Sequence, residues 1–69
     1  MKSNQLIRWL INDGWYIKHQ SGSHLIMRHP VKKGRLTVPN HGNREVGRGL
    51  FYKILKDAGL KFNSDDKKN

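Results

Sequence analysis

The sequence contains no cysteine. Disulfide staples, thiolate metal sites and a cysteine nucleophile are therefore excluded. Acid is scarce: five Asp and Glu residues stand against 14 Lys and Arg, for a formal charge of +9. No apolar run approaches the ~18 residues of a membrane span. The opening Met1-Lys2-Ser3-Asn4-Gln5 lacks the apolar stretch of a secretory leader. These absences lead us to expect a cytoplasmic protein with no membrane association. Length is short as well, since 69 residues make one domain. A domain of this size buries only about 60% of the surface its unfolded chain exposes. Its core must be thin, one layer of sheet against one layer of helix, and any active site must be a shallow surface feature.

The positive charge is concentrated in the body of the chain. Residues 14–38 carry Lys18, Arg28, Lys32, Lys33 and Arg35 with no acid at all. Residues 39–62 add Arg44, Arg48, Lys53, Lys56 and Lys61 against Glu45 and Asp57. The segment 63–69, Asn63-Ser64-Asp65-Asp66-Lys67-Lys68-Asn69, is neutral and has no apolar residue. We expect residues 1–62 to form the domain and 63–69 a flexible polar tail. A folded positive surface suits a polyanion. Nucleic acid is the first choice, with an acidic protein partner or anionic lipid as alternatives.

Apolar periodicity predicts a helix over 4–13. Leu6, Ile7, Leu10 and Ile11 recur at helical spacing, Ser3 is the expected N-cap and Gly14 the stop. Three short strands follow. Residues 15–19 are rich in β formers, with Trp15 and Ile17 on one face. Gln20-Ser21-Gly22-Ser23 supplies turn residues, and residues 24–28 form the second strand. Lys32-Lys33-Gly34 turns the chain into the third strand, 35–38, which faces Leu36 and Val38 toward the core. Pro30 and Pro39 close the second and third strands, as residues that cannot donate to a ladder must. After a polar loop, residues 47–58 form a second helix. Its inner stripe is Leu50, Ile54 and Ala58, flanked by Phe51 and Leu55, with Gly59 as the stop.

The order is helix, three strands, helix. Short connections make the sheet an antiparallel meander, and both helices must cover one of its faces. The expectation is an α+β fold of α-β-β-β-α order, three antiparallel strands with two helices on one face. That is the architecture of double-stranded RNA-binding domains.

Three segments together resemble the HicA family of toxin–antitoxin ribonucleases. The first is Gly14-Trp15 after the opening helix. The second is Gly22-Ser23-His24, running on through Leu25-Ile26-Met27 to Arg28-His29-Pro30. The third is Leu36-Thr37-Val38-Pro39-Asn40-His41, leading to Gly49-Leu50 and Ile54-Leu55-Lys56-Asp57-Ala58-Gly59-Leu60. The Gly-Ser-His element alone is weak; the order and spacing of all three make the match specific. The resemblance implies a fold related to the double-stranded RNA-binding domain, metal-independent cleavage of mRNA and inhibition by a HicB-type antitoxin. It places the catalytic histidine at His24. Many family members carry a second histidine directly after it, where this chain has Leu25, so the chemistry is expected to need one.

The residues fit that chemistry. RNA supplies its own nucleophile, the 2′-OH, so a ribonuclease needs a base, an acid and charge stabilisation. Imidazole serves the first two because it titrates near neutrality. Surrounding cations stabilise the extra charge of a pentacoordinate phosphorane. Besides His24, the expected RNA-binding residues are Lys18, Gly22, Ser23, Arg28, Lys32, Lys33, Arg35, His41, Arg44 and Arg48. Lys18 and Arg28 neighbour His24 if the first hairpin is in register. Lys32, Lys33 and Arg35 form a basic hairpin tip. Arg44 and Arg48 flank the start of the second helix, whose amides and dipole favour phosphate. His41 is a second candidate near the phosphate. No metal site or cofactor is expected. His24 and His29 stand an odd number of positions apart and would point to opposite faces of one strand, and no acidic cluster completes a shell. Trp15 and Phe51 are expected in the core. The partners are then mRNA and an acidic antitoxin, with the toxin itself monomeric. The competing readings are a non-catalytic RNA-binding module and a protein-only interaction domain.

Overall fold

A computed structural model describes residues 1–60. The expected tail, 63–69, and the expected domain limit at residue 62 lie outside the described residues. Five elements follow the expected order: α1 (Ser3–Asn12), β1 (Tyr16–Ser21), β2 (His24–Arg28), β3 (Arg35–Pro39) and α2 (Arg48–Ala58). The strands form one antiparallel sheet in the order β1-β2-β3. Along β2 and β3, Leu25, Met27, Leu36 and Val38 are buried. They share one core with Leu6 and Leu10 of α1 and with Phe51, Ile54, Leu55 and Ala58 of α2. His24, Arg28, Arg35 and Thr37 alternate with them and are exposed. Both helices thus cover one face, and the other stays open.

Three local expectations change. Ser3 is not the N-cap of α1; Lys2 takes that position. Ser3 is the first helical residue and is fully buried. Its hydroxyl donates to the Pro39 carbonyl and accepts from the His41 amide at 3.1 Å. A buried hydroxyl satisfied in both directions ties the start of α1 to the end of β3. The opening amides of α1 are taken by the loop after β3: Ser3 donates to the Arg44 carbonyl and Asn4 to the Gly42 carbonyl, both at 2.8 Å. Backbone carbonyls far along the chain therefore do the work expected of a side-chain cap.

Ile17 is the second change. It pairs with buried Met27 and so lies on the core face, yet it is 47% exposed. The helices do not reach over β1, and all six of its residues are exposed. Trp15 is in the core as expected, but it enters from the connection before β1. Leu50 is the third. The buried stripe of α2 is Phe51, Ile54, Leu55 and Ala58, an i, i+3, i+4, i+7 set. Leu50 falls on its shoulder, 44% exposed, beside β3. Phe51 is core as expected and packs on Trp9 with ring centroids 6.4 Å apart.

The end of the molecule holding the helix C-termini is built around Gly14, His29 and Lys32. Gly14 has φ 111, a conformation other residues rarely adopt. A Cβ there would stand 2.6 Å from His29 Nε2. His29 lies beyond the end of β2, edge-on to Trp15 at 5.2 Å. Its Nδ1 accepts from the amides of Val31 and Lys32, each at 3.0 Å, so its Nε2 carries the proton and donates to the Asp13 carbonyl at 2.8 Å. Lys32 donates to Asp13 Oδ2 at 2.6 Å and to the Ala58 carbonyl at 2.9 Å. It thereby joins the ends of both helices. Gly14→Ala should cost about 3 kcal/mol, from backbone strain and the collision with His29. Lys32→Met should cost about 1–2 kcal/mol by losing charge-assisted hydrogen bonds. Urea unfolding of the two variants checks both values.

Candidate active site on the open face

The site begins with a turn. Ser21 and His24 pair directly, leaving Gly22-Ser23 as the connection. Gly22 has φ 60 while Ser23 has negative φ. That is the signature of a type II′ hairpin, whose twist matches the strands it joins. The turn makes His24 the first residue of the central strand, paired with Ser21 on one side and Pro39 on the other. Ser23 contributes its carbonyl, which accepts from the Asn40 amide at 2.7 Å. That bond brings the loop bearing His41 to the His24 end of the sheet. His41 itself is exposed, with its backbone held by Ser3 and Arg44.

His24 lines a groove of about 270 Å³ between the edge of β3 and α2. Thr37, Pro39, Leu50, Lys53 and Ile54 form the rest of its wall. Residues that carry an imidazole, a hydroxyl and an ammonium group, from β2, β3 and α2, therefore line one groove. Lys53 also bonds Asp57 at 3.0 Å on the exposed helix surface. Such exposed pairs are worth little, so the ammonium can exchange its carboxylate for a phosphate. Lys53 and Thr37 were absent from the sequence-based site. Lys53 carried no signal of its own in the sequence; its place one turn after Leu50 sets it beside the groove.

The other expected residues fall into separate groups. Arg28 is on the face of His24 but four residues along β2, about 13 Å away. Arg35 pairs with Arg28, and Lys33 is exposed in the connection beyond them. Lys18 is exposed at a register shift between Ile17 and His19, a β-bulge. It stands three residues along β1 from Ser21, about 10 Å, and so is not an immediate neighbour of His24. Lys32 departs from its expected role, because its ammonium is held by Asp13 and the Ala58 carbonyl. Arg44 and Arg48 are exposed around the start of α2, which has no side-chain cap. Arg48 lines a second hollow of about 330 Å³ that also contains Glu45. Among the described residues, no three His, Asp or Glu side chains are grouped to hold a metal ion. No helix among them is long and apolar enough to cross a membrane.

Comparison with known proteins gives the family of the chain. The family model described as the HicA toxin of bacterial toxin–antitoxin systems matches residues 3–60. That span runs from the buried serine of α1 to the end of α2. The probable mRNA interferase HicA of Pseudomonas fluorescens (strain Pf0-1) is 39% identical over 62 residues, covering 88% of this chain and 98% of that protein. With the match extending over both helices, the sheet and the groove, the chain belongs to the HicA family of toxins.

Proposed function

We propose that this chain is an endoribonuclease that cleaves mRNA, with His24 as its catalytic residue. The observation that carries the reading is the position of His24, exposed at the first rung of the central strand and lining a shallow groove together with Lys53. His24 takes the proton from the ribose 2′-OH, whose oxygen attacks the adjacent phosphorus. The bond to the 5′-oxygen breaks, and the imidazolium returns its proton to that leaving oxygen. The products are a 2′,3′-cyclic phosphate and a 5′-hydroxyl, so no water is consumed in this step. Lys53 stabilises the charge that builds on the phosphorane oxygens, and Thr37 offers a hydroxyl to the same phosphate. No metal or other cofactor enters this scheme. His41 and the α2 entry, with Arg44 and Arg48, extend the positive surface toward the flanking phosphates.

Within the toxin–antitoxin relationship, the toxin acts as a monomer in the cytoplasm, where mRNA is translated. A HicB-type antitoxin silences it by covering the basic face and His24 together. Acidic groups on such a partner would be steered to a surface of this charge.

His24→Ala should lower RNA cleavage by at least ~10²-fold, the usual share of a general acid–base. It should also relieve toxicity on expression in a bacterium. Lys53→Met should lower cleavage roughly tenfold. Thermal unfolding should show both variants as stable as the parent, since both side chains are exposed. A His24→Ala protein that cuts RNA like an active parent would remove His24 from the chemistry, and a parent that binds RNA without cutting it would leave only the RNA-binding module. RNA affinity in a filter-binding titration should fall steeply as salt rises. Absence of binding even at low salt would leave a protein-only interaction domain.

A further inference from the structure

Two arginines stand face to face on the open side of the sheet. Arg28 of β2 and Arg35 of β3 are direct cross-strand partners. Tyr16 of β1 pairs with Arg28 from the other side. The three residues form one row across the sheet, all exposed, with Tyr16 50% exposed. Strand alternation puts this row on the same face as His24, because Leu25 and Met27 between them turn into the core. A middle row, His19-Ile26-Thr37, separates the two. It has no fixed charge.

Like charges directly opposite each other destabilise an antiparallel pair. Among the described residues, nothing compensates here. No Asp or Glu occurs anywhere between Gly14 and Arg44. Among the described residues, the acids are engaged elsewhere: Asp13 with Lys32, Asp57 with Lys53, and Glu45 with the N-terminal amine. Neither arginine takes part in an ion pair among the described residues. An anion lying across the row gives the pairing the purpose that folding does not. An exposed phenol ring beside the two cations adds a surface on which a base can stack.

We propose that Tyr16, Arg28 and Arg35 bind a single-stranded stretch of RNA next to the bond addressed by His24. The arginines hold its phosphates and Tyr16 stacks an unpaired base. The strand then crosses the open face from the groove to the row, about 13 Å along β2. A duplex does not fit this site, because its bases are stacked on one another and Tyr16 finds no free face. The substrate class is therefore unpaired RNA. This inference rests on the reading of His24 as the cleaving residue, but its test does not require cleavage.

The probe is a short fluorescein-labelled RNA, 2′-O-methylated throughout so that no ribose can act as nucleophile. It is titrated with the full chain by fluorescence anisotropy, alone and annealed to its complement. The parent should bind the single strand more tightly than the duplex. Tyr16→Ala should weaken single-strand binding roughly tenfold, while Tyr16→Phe keeps it. Arg28→Ala and Arg35→Ala should each weaken it and lower the salt slope by about one. Arg8→Ala, the same charge change on exposed α1 surface, should leave affinity unchanged. Thermal unfolding confirms that each variant is folded. Tighter binding to the duplex overturns the proposal. So does a Tyr16→Ala protein that binds like the parent, or an Arg8→Ala protein that loses as much as the row variants. If the row behaves as expected but the parent leaves unmodified RNA intact, the binding site stands and the role of His24 falls.

Discussion

Ser21 and His24 close the turn at Gly22-Ser23, and the pairing set there continues through Pro39, Val38 and Leu36 on the far strand. The composition of the open face depends on this register. Side chains alternate along a strand, so a slip of one residue would send Leu25 and Met27 outward and bury His24. The hydrophobic set of β2 and the turn geometry of Gly22 resist that slip together. The imidazole is exposed because its neighbours in sequence are the residues that most need burial.

A domain of this size cannot enclose a site, and its two ends divide the labour. At one end, Lys32 ties α1 to α2 while His29 uses both ring nitrogens to hold the chain at Asp13 and at the start of the following turn. Those groups are satisfied within the fold. At the other end, Ser23, Asn40, His41 and Ser3 hold one another through backbone bonds and a single buried hydroxyl. That arrangement leaves the side chains of His24 and His41 exposed. Stability there comes from main chain, so function can use the side chains.

The number, order and type of the elements were legible because apolar periodicity records them directly. Leu6 and Leu10, Leu36 and Val38, and Ile54 and Ala58 are core residues as their spacing predicts. Errors arose where a distant part of the chain decides. Ser3 has the chemistry of a cap, yet Pro39 and His41 claim its hydroxyl from 36 and 38 residues away. Lys32 resembles any turn lysine until Asp13 and Ala58 are brought to it. Leu50 and Phe51 are both apolar neighbours, and only the docking angle of α2 selects Phe51 for burial. In the candidate site, the turn at Gly22-Ser23 and the start of a strand at His24 were legible as local structure. Lys53 was not, because a lysine on a helix has the pattern of a solvated face and only the groove beside β3 distinguishes it.

The proposed function rests on one chemical claim: the substrate provides its own nucleophile, and His24 moves the proton. A cleavage product analysed by mass spectrometry tests this most directly, using short RNAs with a single 2′-deoxynucleotide stepped through the cut site. The account predicts a 2′,3′-cyclic phosphate and a 5′-hydroxyl, with no cut where the deoxynucleotide supplies the ribose of the scissile bond. A cut that persists at the deoxy position, leaving a 5′-phosphate and a 3′-hydroxyl, would contradict it.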